Sequence, residues 1–179
     1  MKLITYLFLL CLPGYKYEPV KLVQDEYKLS SGGRPGGMSR AIVRLQVPPR
    51  TDRLIYTVVA RESNPLHNLG LYTQLKEKTD AGSITVGAKL ADKLSAPHGN
   101  GVADVFIIPD SSRAYAYARH RSDVAYCSEP HTRRRVTRAI VDIPIRHSRR
   151  DTVLYLVLRN PTAFAAQYVS IEVVAMRRK

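Results

Sequence analysis

The clearest alternation of apolar and polar side chains lies near the carboxyl end of the chain. In the segment 151–176, Leu154, Leu156 and Leu158 fall on one side of a predicted strand, with Val153 and Val157 on the other. A strand that is apolar on both sides is typical of a position inside a sheet with both faces covered. We therefore predict a central strand here, followed by a loop and a second strand.

The second strand of that segment has a different pattern. Val169, Ile171 and Val173 alternate with Ser170 and Glu172. A period of two residues with one polar side predicts a half-buried strand. Similar apolar or β-branched runs predict further strands over 41–47, 53–60, 101–110 and 137–145.

Helical spacing occurs only between the predicted strands. Leu66, Leu69, Tyr72 and Leu75 recur every three residues and predict a helix that ends near KEKTDAG (76–82). The segment 83–97 fits either another helix or a strand running into a short helix. The pair Ser111-Ser112 offers an N-cap to a predicted short helix RAYAYARHR (113–121).

Strands dominate and do not alternate regularly with helices, which disfavours a doubly wound parallel sheet. The prediction is a mainly β protein: an antiparallel β-sandwich, jelly-roll or Ig-like, with short helical insertions. The 179 residues are enough for one such domain. We place it at 41–179, after a lead-in with a Gly-rich hinge at 15–40.

The amino-terminal residues 1–14 have the layout of a secretory signal peptide. A single Lys2 precedes an apolar run from Leu3 to Leu12, which ends at a Pro-Gly pair. The run is too short to span a bilayer as a helix. The alternative interpretation is a first buried strand or helix over residues 3–12.

Charge is the strongest compositional signal. The chain carries a net charge of +13, and the segment 113–150 holds ten Arg and three acidic residues, a net +7. Such a block attracts polyanions, and interleaved tyrosines can stack on their rings or bases. The candidate contacts with an anionic partner are Arg113, Arg119, Arg121, Arg133, Arg134, Arg135 and Arg138, with Tyr115, Tyr117 and Tyr126 as aromatic contacts. The competing interpretation is a solvated arginine-rich surface.

Signatures of catalysis and metal binding are missing from the sequence. Its five histidines show no HExxH or related spacing, and no serine lies in a GxSxG elbow. Cys127 and His131 are four residues apart, but no orienting partner accompanies them, so we interpret Cys127 as an inert thiol. The prediction is no enzyme, no cofactor and no metal site.

Three segments together resemble a known family. The order ADVFIIPD (103–110), DTVLYLVLRNP (151–161) and QYVSIEVVA (167–175) is similar to the closing part of small secreted bacterial β-sandwich domains of the pre-peptidase C-terminal kind. The comparable positions are Asp104, Phe106, Tyr155, Val157, Tyr168 and Val169, while 61–98 and 111–135 are additional. The resemblance implies a non-catalytic accessory that binds, spaces or solubilises, and transfers no functional residue.

These observations lead to one functional hypothesis and one alternative. The first is an exported, non-enzymatic β-sandwich with a binding or structural role at the cell surface or outside the cell, whose partner is an anionic polymer or a cell-surface component. The alternative is an intracellular basic protein that binds nucleic acid. Oligomeric state and ligand identity do not follow from the sequence.

Overall fold

The computed structural model describes residues 16–32, 37–82, 90–120, 131–145 and 152–179. Within these ranges the chain forms eight strands, two α-helices and one 3₁₀ helix. The strands are β1 (Tyr17–Leu29), β2 (Arg40–Val47), β3 (Thr51–Arg61), β4 (Ala103–Ile108), β5 (Arg133–Val136), β6 (Arg138–Pro144), β7 (Thr152–Arg159) and β8 (Gln167–Arg178); the helices are α1 (Leu71–Asp80), α2 (Ser111–His120) and the 3₁₀ helix Leu90–Lys93.

The strands pair as one long nested hairpin. Strand β1 pairs with β8, β2 with β7, β3 with β6 and β4 with β5, all antiparallel. Two lateral pairings, β3 with β8 and β4 with β7, roll this hairpin into two four-stranded sheets, sheet A in the order β1-β8-β3-β6 and sheet B in the order β2-β7-β4-β5. This is the jelly-roll form of the predicted antiparallel sandwich, which is therefore confirmed.

The main core lies between the two sheets. Every second residue of a strand points inward, so Leu54 and Tyr56 of β3 meet Val43 and Leu45 of β2 and Leu156 of β7. Each fully buried Leu or Val contributes about 1.5–3 kcal/mol relative to exposure. The alternation read from the sequence is thus the physical basis of the sandwich.

Helices cover the outer faces of both sheets. Leu71 and Leu75 of α1 pack on Ile55 of β3 and Val174 of β8, on sheet A. On sheet B, α2 covers Phe106 and Ile108 of β4 together with Tyr155 and Val157 of β7. Strand β7 is therefore covered on both faces, as predicted.

The half-buried prediction for β8 is wrong. Its outward-facing Ser170 and Glu172 are buried, Glu172 with 1% of its surface exposed. The segment leading into α1 lies over them: the amide of Leu66 donates to Oγ of Ser170, and the amides of Leu71 and Tyr72 donate to the carboxylate of Glu172. Polar side chains at this face serve as acceptors for a covering segment and do not mark a solvated face.

Two strands fall where no strand was predicted. The lead-in 15–40 contains β1, and the predicted polar loop SEPHTRRR (128–135) contains most of β5. Both lie at sheet edges, where one face remains partly exposed and polar residues are common, so the apolar alternation is weak.

The start of α2 also differs from the prediction. The main-chain amide of Arg113 donates to Oδ1 of Asp110 at 2.9 Å. Asp110 therefore supplies the N-cap of α2 in place of Ser111 or Ser112. The amide of Ala114 donates to the main-chain oxygen of Asp110.

The predicted signal segment 1–14 and the hinge glycines 33 and 36 lie outside the described residues. In the described ranges, no helix has the length and hydropathy to cross a membrane.

Candidate anion-binding end of the sandwich

Strand register brings two arginines and an aspartate into one row on the outer face of sheet B. Arg40 at the start of β2 lies opposite Arg159 at the end of β7, and Arg159 lies opposite Asp104 at the start of β4. Like charges directly across a strand pair repel. The row carries more positive than negative charge, an arrangement that strand pairing alone does not favour.

Asp104 neutralises one of the two arginines. Its side chain is fully buried, and its Oδ2 accepts a hydrogen bond from Nε of Arg159 at 2.7 Å and a second contact from Nη2. Its Oδ1 accepts the main-chain amide of Arg135 at 2.7 Å. Burial alone would lower the pKa of the Arg159 guanidinium, but the hydrogen bond and charge of Asp104 outweigh it, so this pKa is raised and the group stays a cation.

Two aromatic rings, those of Phe106 and Tyr117, pack against the arginines. The rings of Phe106 and Tyr117 meet edge to face at 5.4 Å, and the guanidinium of Arg40 lies 4.0 Å from the Tyr117 ring centre and donates to the Tyr117 main-chain oxygen. The guanidiniums of Arg134 and Arg159 lie 5.8 and 5.5 Å from the Phe106 ring. Each cation–π contact contributes about 0.5–2 kcal/mol, so the arginines are held in place before any ligand arrives.

The remaining predicted basic residues of β5 and β6 reach the same end. Arg133 of β5 pairs with Val105 of β4, so the whole of β5 lies beside the start of β4. Only residue 137 separates β5 from β6, which begins with Arg138. Arg134, Arg135 and Arg138 are exposed, and Arg133 is half-buried. These arginines lie at the same end of the sandwich, and we call them together the arginine end: Arg40, Arg133, Arg134, Arg135, Arg138 and Arg159.

The predicted contact residues on α2 lie in different parts of the helix. Arg119 is exposed in the last turn, whereas Arg113 and Tyr115 lie in the first part of the helix, with the Tyr115 ring 6.1 Å from that of Tyr155. The six-residue separation of Arg113 from Arg119 corresponds to about 9 Å along the axis. Tyr117 is buried against Phe106 and does not face solvent; burial raises the pKa of its hydroxyl. Arg121 and Tyr126 lie outside the described residues.

An open pocket of about 450 Å³ lies beside the arginine row. Its lining residues are Gly32, Ser39, Arg40, Arg159, Asn160, Pro161, Thr162 and Ala163. Arg40 and Arg159 were not predicted as contacts. Each is a single arginine at the terminus of an apolar strand, and only their register across β2 and β7 joins them, so no local signal marks them.

Asn160 holds the two loops that form the pocket. Its Nδ2 donates to the main-chain oxygens of Ser30 at 3.0 Å and Ala165 at 2.8 Å, and its Oδ1 accepts the amide of Thr162. The amide of Gly32 donates to the oxygen of Thr162, and the amide of Asn160 donates to that of Ser39. The described segments 30–32, 37–39 and 160–165 are thereby bonded to one another around the buried side-chain amide of Asn160.

Two further titratable groups, His131 and Asp142, have shifted pKa values. His131 lies just before β5, where burial and the nearby Arg133 lower its pKa and Asp142 opposes them. Burial raises the pKa of Asp142, partly countered by Arg53, whose Nε lies 3.2 Å away. No group of three His, Cys, Asp or Glu within the described ranges can hold a metal ion. Cys127 lies outside them, so the structure does not test the Cys127–His131 pair.

Comparison of the chain with protein-family models and with curated proteins gives no match. The resemblance to pre-peptidase C-terminal domains therefore stays a prediction.

Proposed function

We propose that this protein is an exported, non-enzymatic jelly-roll binding protein that holds an anionic partner at the cell surface against the arginine end. The observation that carries the proposal is the row in which Arg40 lies opposite Arg159, because both arginines line one open pocket. Like charges directly across a strand pair repel, and an oxyanion bound between the two guanidiniums would reduce that repulsion.

The chemistry of arginine supports an oxyanion partner. A guanidinium is planar and always charged, and it presents donors in a fork that matches carboxylate, sulfate or phosphate oxygens. The cation–π contacts with Phe106 and Tyr117 restrict the arginine side chains in advance. A partner therefore meets cations that lose little conformational entropy on binding.

Binding to immobilised heparin tests this function. The variant Arg133→Gln/Arg134→Gln/Arg135→Gln removes three positive charges from β5, and we expect it to elute at clearly lower salt than the unmodified protein. For a polyphosphate such as single-stranded DNA, losing three contacts lowers the slope of log K against log salt by about two. Unfolding temperature, measured alongside, shows whether the variant keeps its fold.

A matched control removes the same charge elsewhere. Lys16, Lys76 and Lys93 are exposed and lie outside the arginine end, and their triple replacement by Gln also lowers the net charge by three. We expect this control to retain most of the heparin affinity. Equal losses in both triple variants would reduce the effect to overall charge and refute the proposal. Tighter retention on single-stranded DNA than on heparin would favour the nucleic-acid alternative.

Export is tested at the amino terminus. Mass spectrometry of the protein from its native host should find a mature chain that starts near Tyr15. An intact Met1 would contradict export and favour the intracellular alternative.

A further inference from the structure

The two most exposed large apolar side chains of the described residues flank the pocket at the arginine end. Phe164 exposes 97% of its surface and Met38 exposes 78%; Tyr115, on α2, exposes 46%. Phe164 follows the pocket residue Ala163, and Met38 precedes the pocket residue Ser39. The two loops that form the pocket thus each carry one large side chain that folding leaves in water.

Backbone hydrogen bonds connect the two segments that carry these side chains. The amide of Ser30 donates to the oxygen of Met38, and that of Gly32 donates to the oxygen of Thr162, two residues before Phe164. Asn160 bonds to both loops from within. The segments that carry Met38 and Phe164 are therefore bonded to each other beside a pocket lined by Arg40 and Arg159.

We propose that the arginine end docks on an anionic phospholipid surface, with a lipid phosphate in the pocket and Phe164 and Met38 inserted among the acyl chains. This inference rests on the proposed function and names its partner. A membrane interface is the environment that takes up apolar side chains and basic groups side by side.

The apolar pair distinguishes a lipid from a soluble polyanion. A sulfated glycan or a nucleic acid satisfies the arginines, and its rings or bases can stack on Phe164, but neither provides an apolar environment that buries Met38 and Phe164 together. Basic residues and apolar insertion are two separate signals, and stable peripheral binding to a bilayer needs such a combination. Arg134, Arg135 and Arg138 are exposed at the same end of the sandwich and add positive charge outside the pocket, which suits a plane of headgroups.

Co-sedimentation of the full chain with vesicles tests the proposal. We expect binding to vesicles of equal parts phosphatidylglycerol and phosphatidylcholine, and little binding to phosphatidylcholine alone. The variant Met38→Ser/Phe164→Ser should bind the anionic vesicles about tenfold more weakly or worse while its heparin retention is unchanged. Both substitutions are at exposed positions, so the fold should persist, and the unfolding temperature checks this.

The control is Tyr115→Ser, which removes an exposed aromatic ring beside Tyr155, at the opposite end of the β4–β7 pairing from Arg159. It should change vesicle binding less than about twofold. Unchanged vesicle binding by Met38→Ser/Phe164→Ser, or no vesicle binding by the unmodified protein, would overturn the lipid proposal and leave the anionic partner intact. Complete displacement from vesicles by millimolar glycerol phosphate would also overturn it, since the pocket would then be a site for a soluble anion. Loss of the heparin difference between the two triple variants would instead overturn the function on which it rests.

Discussion

Glu172 caps a helix that is distant in the sequence, and its removal is a sharp test of how sheet A holds α1. Residue Gly70 precedes the helix with φ of 71° and provides no side-chain cap. The carboxylate of Glu172 accepts the amides of Leu71 at 2.9 Å and Tyr72 at 3.0 Å, and it lies at the positive end of the helix dipole. Lys21 approaches Glu172 at 3.9 Å but is 41% exposed, so it contributes at most about 1 kcal/mol.

The expected cost of Glu172→Ala follows from these contacts. Hydrogen bonds to a charged group contribute about 1.5–3 kcal/mol each, and removing the buried carboxylate leaves two amides without their acceptor. We expect a loss of about 3–5 kcal/mol in the free energy of unfolding, since such contributions are not fully additive. Glu172→Gln keeps one oxygen acceptor and should cost about 1–3 kcal/mol. Lys21→Met should cost less than about 1 kcal/mol.

Urea unfolding measures these differences, and hydrogen exchange of the α1 amides shows whether the helix loosens locally. Ser170→Ala is the matched control on the same face of β8. It removes one neutral hydrogen bond to the amide of Leu66 and should cost about 1 kcal/mol. If Glu172→Ala costs no more than Ser170→Ala and α1 keeps its protection, the capping argument is refuted.

Two further predictions concern a glycine and a histidine. A Cβ at Gly101 would lie 2.7 Å from the Arg61 backbone, so Gly101→Ala should lower the free energy of unfolding by about 2 kcal/mol or more. The control is Gly32→Ala, where the nearest atom to the new Cβ is 3.5 Å away, and it should cost less than about 1 kcal/mol. Thermal unfolding that ranks the two variants the other way would contradict the close approach at Gly101. Burial lowers the pKa of His131 below 6.5, so the unfolded chain binds this proton more readily than the fold does. Its contribution to stability is therefore present above about pH 6.5 and is lost as the pH falls below that value. His131→Gln should flatten the change in unfolding temperature between about pH 7 and pH 5, and an unchanged slope would disprove the assignment.

Alternation of side chains predicted the inner strands well because the core imposes it. Strands β2, β3, β4, β6, β7 and β8 lie within or near the predicted segments, since each presents apolar residues to the space between the sheets. Strand β8 shows the limit of this reasoning. The pattern assigns Glu172 to solvent, but a distant segment folds over it and uses its carboxylate as a cap.

The arginine end could also be predicted from the sequence only in part. The arginine-rich segment is visible in the sequence, and β5 and β6 bring four of its residues together. Tyr117 has the appearance of a surface aromatic residue, yet α2 turns it inward onto Phe106. Arg40 and Arg159 carry no local signal, because they lie more than a hundred positions apart in the chain and meet only through the β2–β7 register.

By itself, the sequence determined that the chain forms strands, that these bury one or both faces, and that its surface is strongly basic. These properties depend on residues within a few positions of one another, through the two-residue period of a strand and the count of charges. The tertiary structure alone decided which strands pair, which polar groups become caps, and which arginines share a pocket. Those outcomes depend on the nested antiparallel register, which is set by contacts between segments that the local pattern does not relate.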